Sequence, residues 1–236
     1  MPLQFSYMKL SLIMPVYNES ATIRQIVDKV MHVPLNIELI IVNDASTDDT
    51  ADILQNEILV KYADIRILSH TVNKGKAAAI KTAIPYCTGE IITIQDGDLE
   101  TEPNDLIHLT GPIRTGEVSV VYGSRYLNTK EEHLYRSYQL GGRILSWTAN
   151  LLYGQHITDE PACYKVFKAD ILKSIKLDYD RFEFCPEVTA KVSKMGYKIK
   201  ELPMNYYPRS FAEGKKLNWQ DGLKALWVLI RYRFTD

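Results

Sequence analysis

The sequence predicts one α/β domain built on a mostly parallel sheet with helices on both faces. Three observations carry that expectation. Between residues 9 and 95, short apolar runs rich in β-branched residues alternate with amphipathic or small-residue segments, in the order β-α-β-α-β-α-β. Each run ends in a polar cluster, at Asn18/Glu19, Asp44, Asn73/Lys74 and Asp96/Asp98. Turn and cap chemistry accounts for any one such cluster, but much less well for four that a parallel sheet would bring to one edge. The length of 236 residues suits a single core of this kind.

Residues 9–14 (KLSLIM) form the first strand, with Pro15 at its exit, because a proline inside a central strand removes a ladder hydrogen bond. Ser20 is placed as the N-cap of a helix carrying Ile23, Ile26, Val27 and Val30 on one side. Residues 38–42 give the second strand, a helix follows to residue 60, and 65–68 give the third strand. The turn Asn73-Lys74-Gly75-Lys76 opens a small-residue helix over 77–84, and 90–95 form the fourth strand. Pro103 marks the first turn of another helix, and 118–122 form a strand ending in Gly123-Ser124-Arg125-Tyr126. A helix over 140–153 bears Arg143, Ser146 and Asn150. A helix over 182–196, with Glu183 and Glu187 near its start, and a strand over 197–203 precede a basic segment from Tyr206 to Lys216.

The tail, 218–234, reads as a helix with Trp219, Leu223, Leu226, Trp227 and Ile230 on one stripe. Its Lys224, Arg231 and Arg233 are placed to meet anionic headgroups. Packing on the core and an interfacial position on a membrane are both open to it; the paired tryptophans and terminal arginines favour the interface.

Composition narrows the function. A net charge of −1 removes the electrostatic case for a nucleic-acid partner. Cys87, Cys163 and Cys185 are scattered, with no CxxC spacing, so neither zinc nor a disulfide framework is expected and a reducing cytosol fits. Residues 1–9 lack the apolar core of a signal peptide, and no run approaches the ~20 apolar residues of a spanning helix.

The chemistry concentrates where the fourth strand runs into Gln95-Asp96-Gly97-Asp98-Leu99-Glu100. Carboxylates this close repel one another at low dielectric unless a cation or protons compensate them. Hard oxygen donors suit Mg²⁺ or Mn²⁺, usually completed by substrate phosphates. An Asp-x-Asp is also common in ordinary turns, so the motif gains its meaning from the clusters around it.

Taken in order, Pro15-x-Tyr17-Asn18-Glu19, Asn43-Asp44-x-Ser46-x-Asp48-x-Thr50, Asn73-x-Gly75 and Asp96-x-Asp98 resemble the family-2 glycosyltransferases of GT-A (Rossmann-like) fold. The downstream half resembles the polyprenyl-phosphate branch typified by dolichyl-phosphate mannose synthase, so that the likeness runs over residues 10–234. The resemblance implies that Pro15, Tyr17 and Glu19 line a nucleoside pocket and that Asp44 contacts the base. Asn43 stands where many members carry another Asp, which leaves uracil and guanine both open. Lys76 and the turn before it would face the nucleotide. Asp96 and Asp98 match the metal-and-diphosphate motif, with Glu100 as a further oxygen ligand. Arg125 resembles the arginine that grips the acceptor phosphate, a task suited to a planar bidentate fork. Ser146 and Asn150 match acceptor-side positions, with Arg143 or Arg136 standing in for a basic residue expected at Gly142. Asp159 keeps a family acidic position, although Ala162-Cys163 replaces a small Ser/Thr-Gly pair; Cys163 is read as a buried structural thiol. Arg209 and Lys215 or Lys216 lie on the loop that closes over the donor diphosphate.

The implied function is an inverting, metal-dependent transfer of a hexosyl group from GDP-mannose or a UDP-sugar to a polyprenyl (dolichyl-type) phosphate. A lipid phosphate needs little help from a base. A saccharide or lipid hydroxyl acceptor would need one, and Asp159 and Glu187 are then the candidates. A non-catalytic nucleotide-sugar-binding subunit is the third alternative. A sugar-nucleotide pyrophosphorylase would want a glycine-rich, basic loop where this chain has Pro15 to Glu19. On this basis residues 1–217 form the catalytic domain and 218–236 an amphipathic helix. The expected location is cytoplasmic, peripheral on the cytoplasmic face of a membrane, with a separate membrane protein as a candidate anchor.

Overall fold

The computed structural model describes residues 8–128, 136–209 and 219–235. β1 (Leu10–Val16) leads through α1 (Ile23–Met31) to β2 (Ile37–Asn43). α2 (Thr50–Ile53) continues through a π-helical turn, Leu54–Ile58, into α3 (Leu59–Lys61) and then β3 (Arg66–Ser69). α4 (Lys76–Ala83), β4 (Ile91–Ile94), α5 (Leu106–Leu109), α6 (Gly111–Arg114) and β5 (Val120–Ser124) follow. The remainder comprises α7 (Arg136–Tyr153), β6 (Lys165–Lys168), α8 (Ala169–Ser174), α9 (Phe184–Lys194), β7 (Ile199–Pro203) and α10 (Trp219–Phe234).

The strands make one sheet in the order β3-β2-β1-β4-β6-β5-β7. All described neighbours are parallel except β6, which runs antiparallel to both β4 and β5. The mostly parallel α/β sheet expected from the sequence is thus present. Residues 165–168 were not expected as a strand.

Alternate side chains of β1 and β2 feed two core layers, as the period of a pleated strand requires. Ile13, Ile40, Val42, Ile92 and Ile94 pack under α4, α7, α8 and α9 on one face. Leu12, Met14, Leu39, Ile41 and Val121 pack under α1, α5 and α6 on the other. β1 also runs further than expected, through Pro15. Ile13 bonds towards β4, where its carbonyl accepts from the Gln95 amide. Pro15 has the same parity, so its missing N–H faces the side on which the β1–β4 pairing has already ended at Ile94. The proline costs no ladder bond there.

α10 is packed against α7 and α9. Ala225, Val228, Leu229 and Tyr232 turn inward, and the Tyr153 hydroxyl donates to the Leu229 carbonyl at 2.6 Å. The tail stripe foreseen from sequence is the opposite, outward side, where Trp219, Leu223, Trp227 and Ile230 are exposed.

Candidate active site

The order of the sheet reverses between β1 and β4, and in open α/β sheets that switch point is where the strand ends leave a crevice. Side chains from β1, β4, the turn before α4 and the segment after β7 meet there. Two glycines permit the close approach. Gly75 has φ +105°, and a Cβ on it would stand 2.5 Å from the Asp180 carbonyl oxygen. A Cβ on Gly97 would stand 2.7 Å from Val16 Cγ1.

The three carboxylates after β4 each meet a basic or polar partner. Asp96 Oδ1 lies 2.5 Å from Lys76 Nζ. Asp98 Oδ2 lies 2.8 Å from Arg209 Nη2, and Arg209 Nη1 reaches Glu19 Oε2 at 3.2 Å. Glu100 is placed differently from the expected metal ligand. Its Oε1 accepts from the Arg209 amide at 2.9 Å and its Oε2 accepts from the Tyr206 hydroxyl at 2.9 Å, while its carbonyl accepts from the Tyr207 amide. Glu100 therefore holds the 206–209 segment against the site, and that segment delivers Arg209.

These contacts set the electrostatics. Burial alone would raise the Asp96 carboxyl, but the Lys76 ammonium outweighs it and holds the group below the usual carboxylate range. Burial likewise works to lower Lys76, and Asp96 reverses the sign, so the amine stays charged. Asp98 is pushed up to about 7, first by burial and then by the neighbouring charges of Asp96 and Glu100. The Cys163 thiol touches Asp96, and burial followed by that carboxylate raises it well above an ordinary thiol. It stays protonated, consistent with a packing role and not a nucleophilic one.

The donor set fits a hard divalent cation. Asp96 and Asp98 stand within charge range of each other and of Glu100, and both are partly exposed at the crevice. Among the described residues no three His, Cys, Asp or Glu side chains form a ready-made cage. Two carboxylates completed by phosphate oxygens are the usual way Mg²⁺ is bound. Among the described residues, Arg209 Nε is buried without a hydrogen-bond partner, its contact with Glu100 Oε1 being 3.8 Å.

The other expected site residues fall into two groups. Pro15 and Tyr17 are half-buried at the end of β1, and Glu19 is buried beside Thr22, whose hydroxyl donates to Glu19 Oε2 at 3.0 Å or to the Gly97 carbonyl at 2.9 Å. Asp44, also at this edge, is engaged locally. Its oxygens accept from the amides of Lys74 at 2.9 Å and Gly75 at 2.7 Å, and His70 Nδ1 lies 2.6 Å away. Asp44 thereby shapes the turn that presents Lys76, and His70, which sequence reasoning missed, bridges it to Thr82 at 2.9 Å.

Just beyond β5, Arg125 and Asp159 form a bidentate pair, with Nε and Nη2 each 2.7 Å from a carboxylate oxygen and the Arg125 amide at 2.9 Å. Asp159 is wholly buried, and the guanidinium stacks on Tyr206 at 5.0 Å. Ser146 is buried too. Its hydroxyl donates within α7 or to the Thr158 carbonyl and accepts from the Glu160 amide at 2.9 Å, so it clamps the 158–160 turn. Asn150 bonds both backbone groups of Ile157. Glu187 is wholly buried and engaged locally. It accepts from the Asp178 and Tyr179 amides, from Lys191 and from the Tyr232 hydroxyl. Lys215 and Lys216 lie outside the described residues, as does the side chain of Arg136.

With this geometry in view, the family follows from the sequence match. Residues 11–176 match the model described as Glycosyl transferase family 2. The chain belongs to that family.

Relatives of this glycosyltransferase include the dodecaprenyl-phosphate galacturonate synthase of Rhizobium johnstonii, 28% identical over 88% of this chain and 62% of the relative. A UDP-N-acetylglucosamine–dolichyl-phosphate N-acetylglucosaminyltransferase of Methanococcus voltae is 27% identical over 93% and 94% respectively. The dolichol-phosphate mannosyltransferase of Pyrococcus furiosus is 26% identical, and the chain spans 59% of its length. Among solved structures, glucosyl-3-phosphoglycerate synthase from Mycobacterium tuberculosis, in complex with Mn²⁺, UDP-glucose and phosphoglyceric acid, superposes with a TM-score of 0.71 at 19% identity. That match covers 96% of this chain and 80% of the other. A likeness at this identity speaks for the GT-A fold alone.

Proposed function

We propose that the chain transfers a hexosyl group from a nucleotide diphosphate sugar to a polyprenyl phosphate, with inversion at the anomeric carbon. The observation that carries the choice of acceptor is that the two carboxylates singled out from the sequence as a base for a hydroxyl, Asp159 and Glu187, are otherwise engaged. Asp159 is wholly buried against Arg125, and Glu187, also wholly buried, has both carboxylate oxygens taken by backbone amides. A phosphate nucleophile is already anionic and needs no such base. The names of the relatives, three of them acting on dodecaprenyl or dolichyl phosphate, support the same acceptor class.

Catalysis on this reading is placement and charge stabilisation. Asp96 and Asp98 would hold Mg²⁺ or Mn²⁺, which supplies charge neutralisation to the departing diphosphate when bound. Lys76 and Arg209 present the ammonium and guanidinium that share that task. Pro15, Tyr17, Glu19 and the turn braced by Asp44 take the nucleoside. Arg125, kept charged and oriented by Asp159, faces the acceptor phosphate with its remaining N–H groups, and Ser146 acts at one remove by fixing the 158–160 turn. Lys215, outside the described residues, is assigned to the donor side on the family resemblance alone.

The test is transfer of labelled sugar into an organic-extractable product, using polyprenyl phosphate, Mg²⁺ or Mn²⁺, and a panel of GDP- and UDP-sugars. Label in the organic phase that chelator abolishes is the expected result and names the donor. Metal-dependent nucleotide binding without any lipid product would refute the phosphate acceptor.

A further inference from the structure

Trp147, Trp219 and Trp227 are the three tryptophans of the chain, and all stand on the outward sides of two adjoining helices, 65%, 73% and 54% exposed. On α7 the outward row is Leu140, Ile144, Trp147 and Leu151, at helical spacing. Arg143 is the one charged residue in that helix among those whose side chains are described. On α10 the outward row is Trp219, Leu223, Trp227, Ile230 and Phe234. A solvent-facing helix side normally carries charged and polar residues, so two neighbouring helices with apolar outward rows mark a covered surface.

We infer that the outward side of α7 and α10 is the face by which this chain docks on an anionic lipid bilayer. Charge decides the occupant. Arg143, Lys224, Arg231 and Arg233 are all exposed on these helices, against a single acid on α10, Asp221, in a chain whose net charge is −1. Arg231 lies over the Trp227 ring at 5.2 Å, an apolar body with its charge at the rim. Tryptophan next to basic side chains is the pairing that headgroup regions favour. A second copy docked through the same face by a two-fold axis would set these basic groups against one another. The helices lie along the surface and do not pass through it, since no helix among the described residues is long and apolar enough to cross a membrane.

The inner side of the same helix connects this face to the acceptor side. Ser146 binds the Glu160 amide, and the adjacent Asp159 holds Arg125. A docked α7 therefore puts the guanidinium one helix diameter, about 10 Å, from the lipid surface. Only this purpose rests on the proposed acceptor; the docking face stands on the exposed side chains.

Because every tryptophan is on the face, intrinsic fluorescence of the full chain reports it directly. Phosphatidylcholine vesicles containing phosphatidylglycerol should shift emission to the blue, shield it from iodide and carry the protein upward in flotation. Pure phosphatidylcholine vesicles should do so at least about ten-fold more weakly. Trp147→Gln with Trp227→Gln should lose flotation while keeping parental far-UV circular dichroism and parental transfer to a short-chain, water-soluble polyprenyl phosphate. Lys224→Glu with Arg233→Glu should weaken binding to the anionic vesicles alone. Unchanged emission with every vesicle overturns the inference, as does a blue shift that appears without lipid as protein concentration rises, which would mark a second copy as the occupant. Vesicle binding by a chain that transfers no sugar would leave the docking face intact and refute the proposed function instead.

Discussion

Asp159→Asn probes the buried pair that Asp159 makes with Arg125. The carboxylate is wholly buried and accepts from the Arg125 amide at 2.9 Å and from Nε and Nη2 at 2.7 Å each. An amide keeps one acceptor, turns the other into a donor facing guanidinium N–H groups, and removes the compensating charge. Removing one partner of a buried pair costs about 3–5 kcal/mol. The guanidinium is 16% exposed and retains its contact with Tyr206, which argues for the lower end, about 3 kcal/mol. For a chain of this length each kcal/mol lowers the melting temperature by about 2–4 °C, so the variant should melt about 6–12 °C below the parent. Circular dichroism melts, with urea titrations at an unchanged m-value, make the measurement. Arg125→Met combined with Asp159→Leu should recover much of the loss, because no orphaned charge remains. A single Asp159→Asn variant melting within about 2 °C of the parent would refute the assignment of this pair as a structural brace.

Asp98→Asn should abolish transfer without harming the fold. A carboxyl raised to about 7 keeps in the native state a proton that the unfolded chain releases, so its stabilising contribution is present at low pH and is lost as pH rises towards that value. The unliganded variant should therefore be at least as stable as the parent at alkaline pH in urea titration, and parental turnover would remove Asp98 from the site. Glu38 behaves oppositely. Burial would raise it, but hydrogen bonds from Ser11 at 2.6 Å and from the Thr88 amide at 2.8 Å and hydroxyl at 2.7 Å bring it down to about 2. Its contribution is present above the ordinary carboxylate range and is lost as pH falls through it towards about 2, so Glu38→Gln should flatten the acid limb of the stability profile. Gly75→Ala, with φ +105° and a Cβ 2.5 Å from a carbonyl oxygen, should cost more than about 1 kcal/mol and weaken nucleotide binding, read by urea titration and calorimetry.

The first half of the fold was legible because its signals are local. Strand periodicity, small-residue helices and polar strand ends declare themselves within a few residues, and parallel α/β topology leaves few arrangements open. β6 was not legible. It is four residues long, carries a lysine at each end, and owes its place to pairing with β4 and β5. Lys165 is wholly buried with its ammonium 3.8 Å from the Tyr122 ring centroid, an environment that no window of sequence predicts. The same limit explains the site. That Asp96 and Asp98 lie at a strand end could be read, but the hold of Glu100 on the segment beyond β7 joins residues more than a hundred positions apart. α7 concealed its outward row for another reason: Leu145, Ala149 and Leu152 pack inward while Leu140, Ile144 and Trp147 face out, so a helix apolar on opposite sides gives no clear sign of which side is core.

Lys76 and Arg209 are each already matched to a carboxylate of the Asp96–Asp98 motif. If these carboxylates serve a divalent cation and these basic groups serve a diphosphate, then every partner in the crevice changes hands at once. A basic side chain is released towards phosphate as its carboxylate accepts another cation, so the two binding events are linked and each strengthens the other by the same factor. Neither metal alone nor nucleotide alone should bind tightly. Charge is exchanged within the site, not accumulated, and the affinity for the pair should depend only weakly on ionic strength.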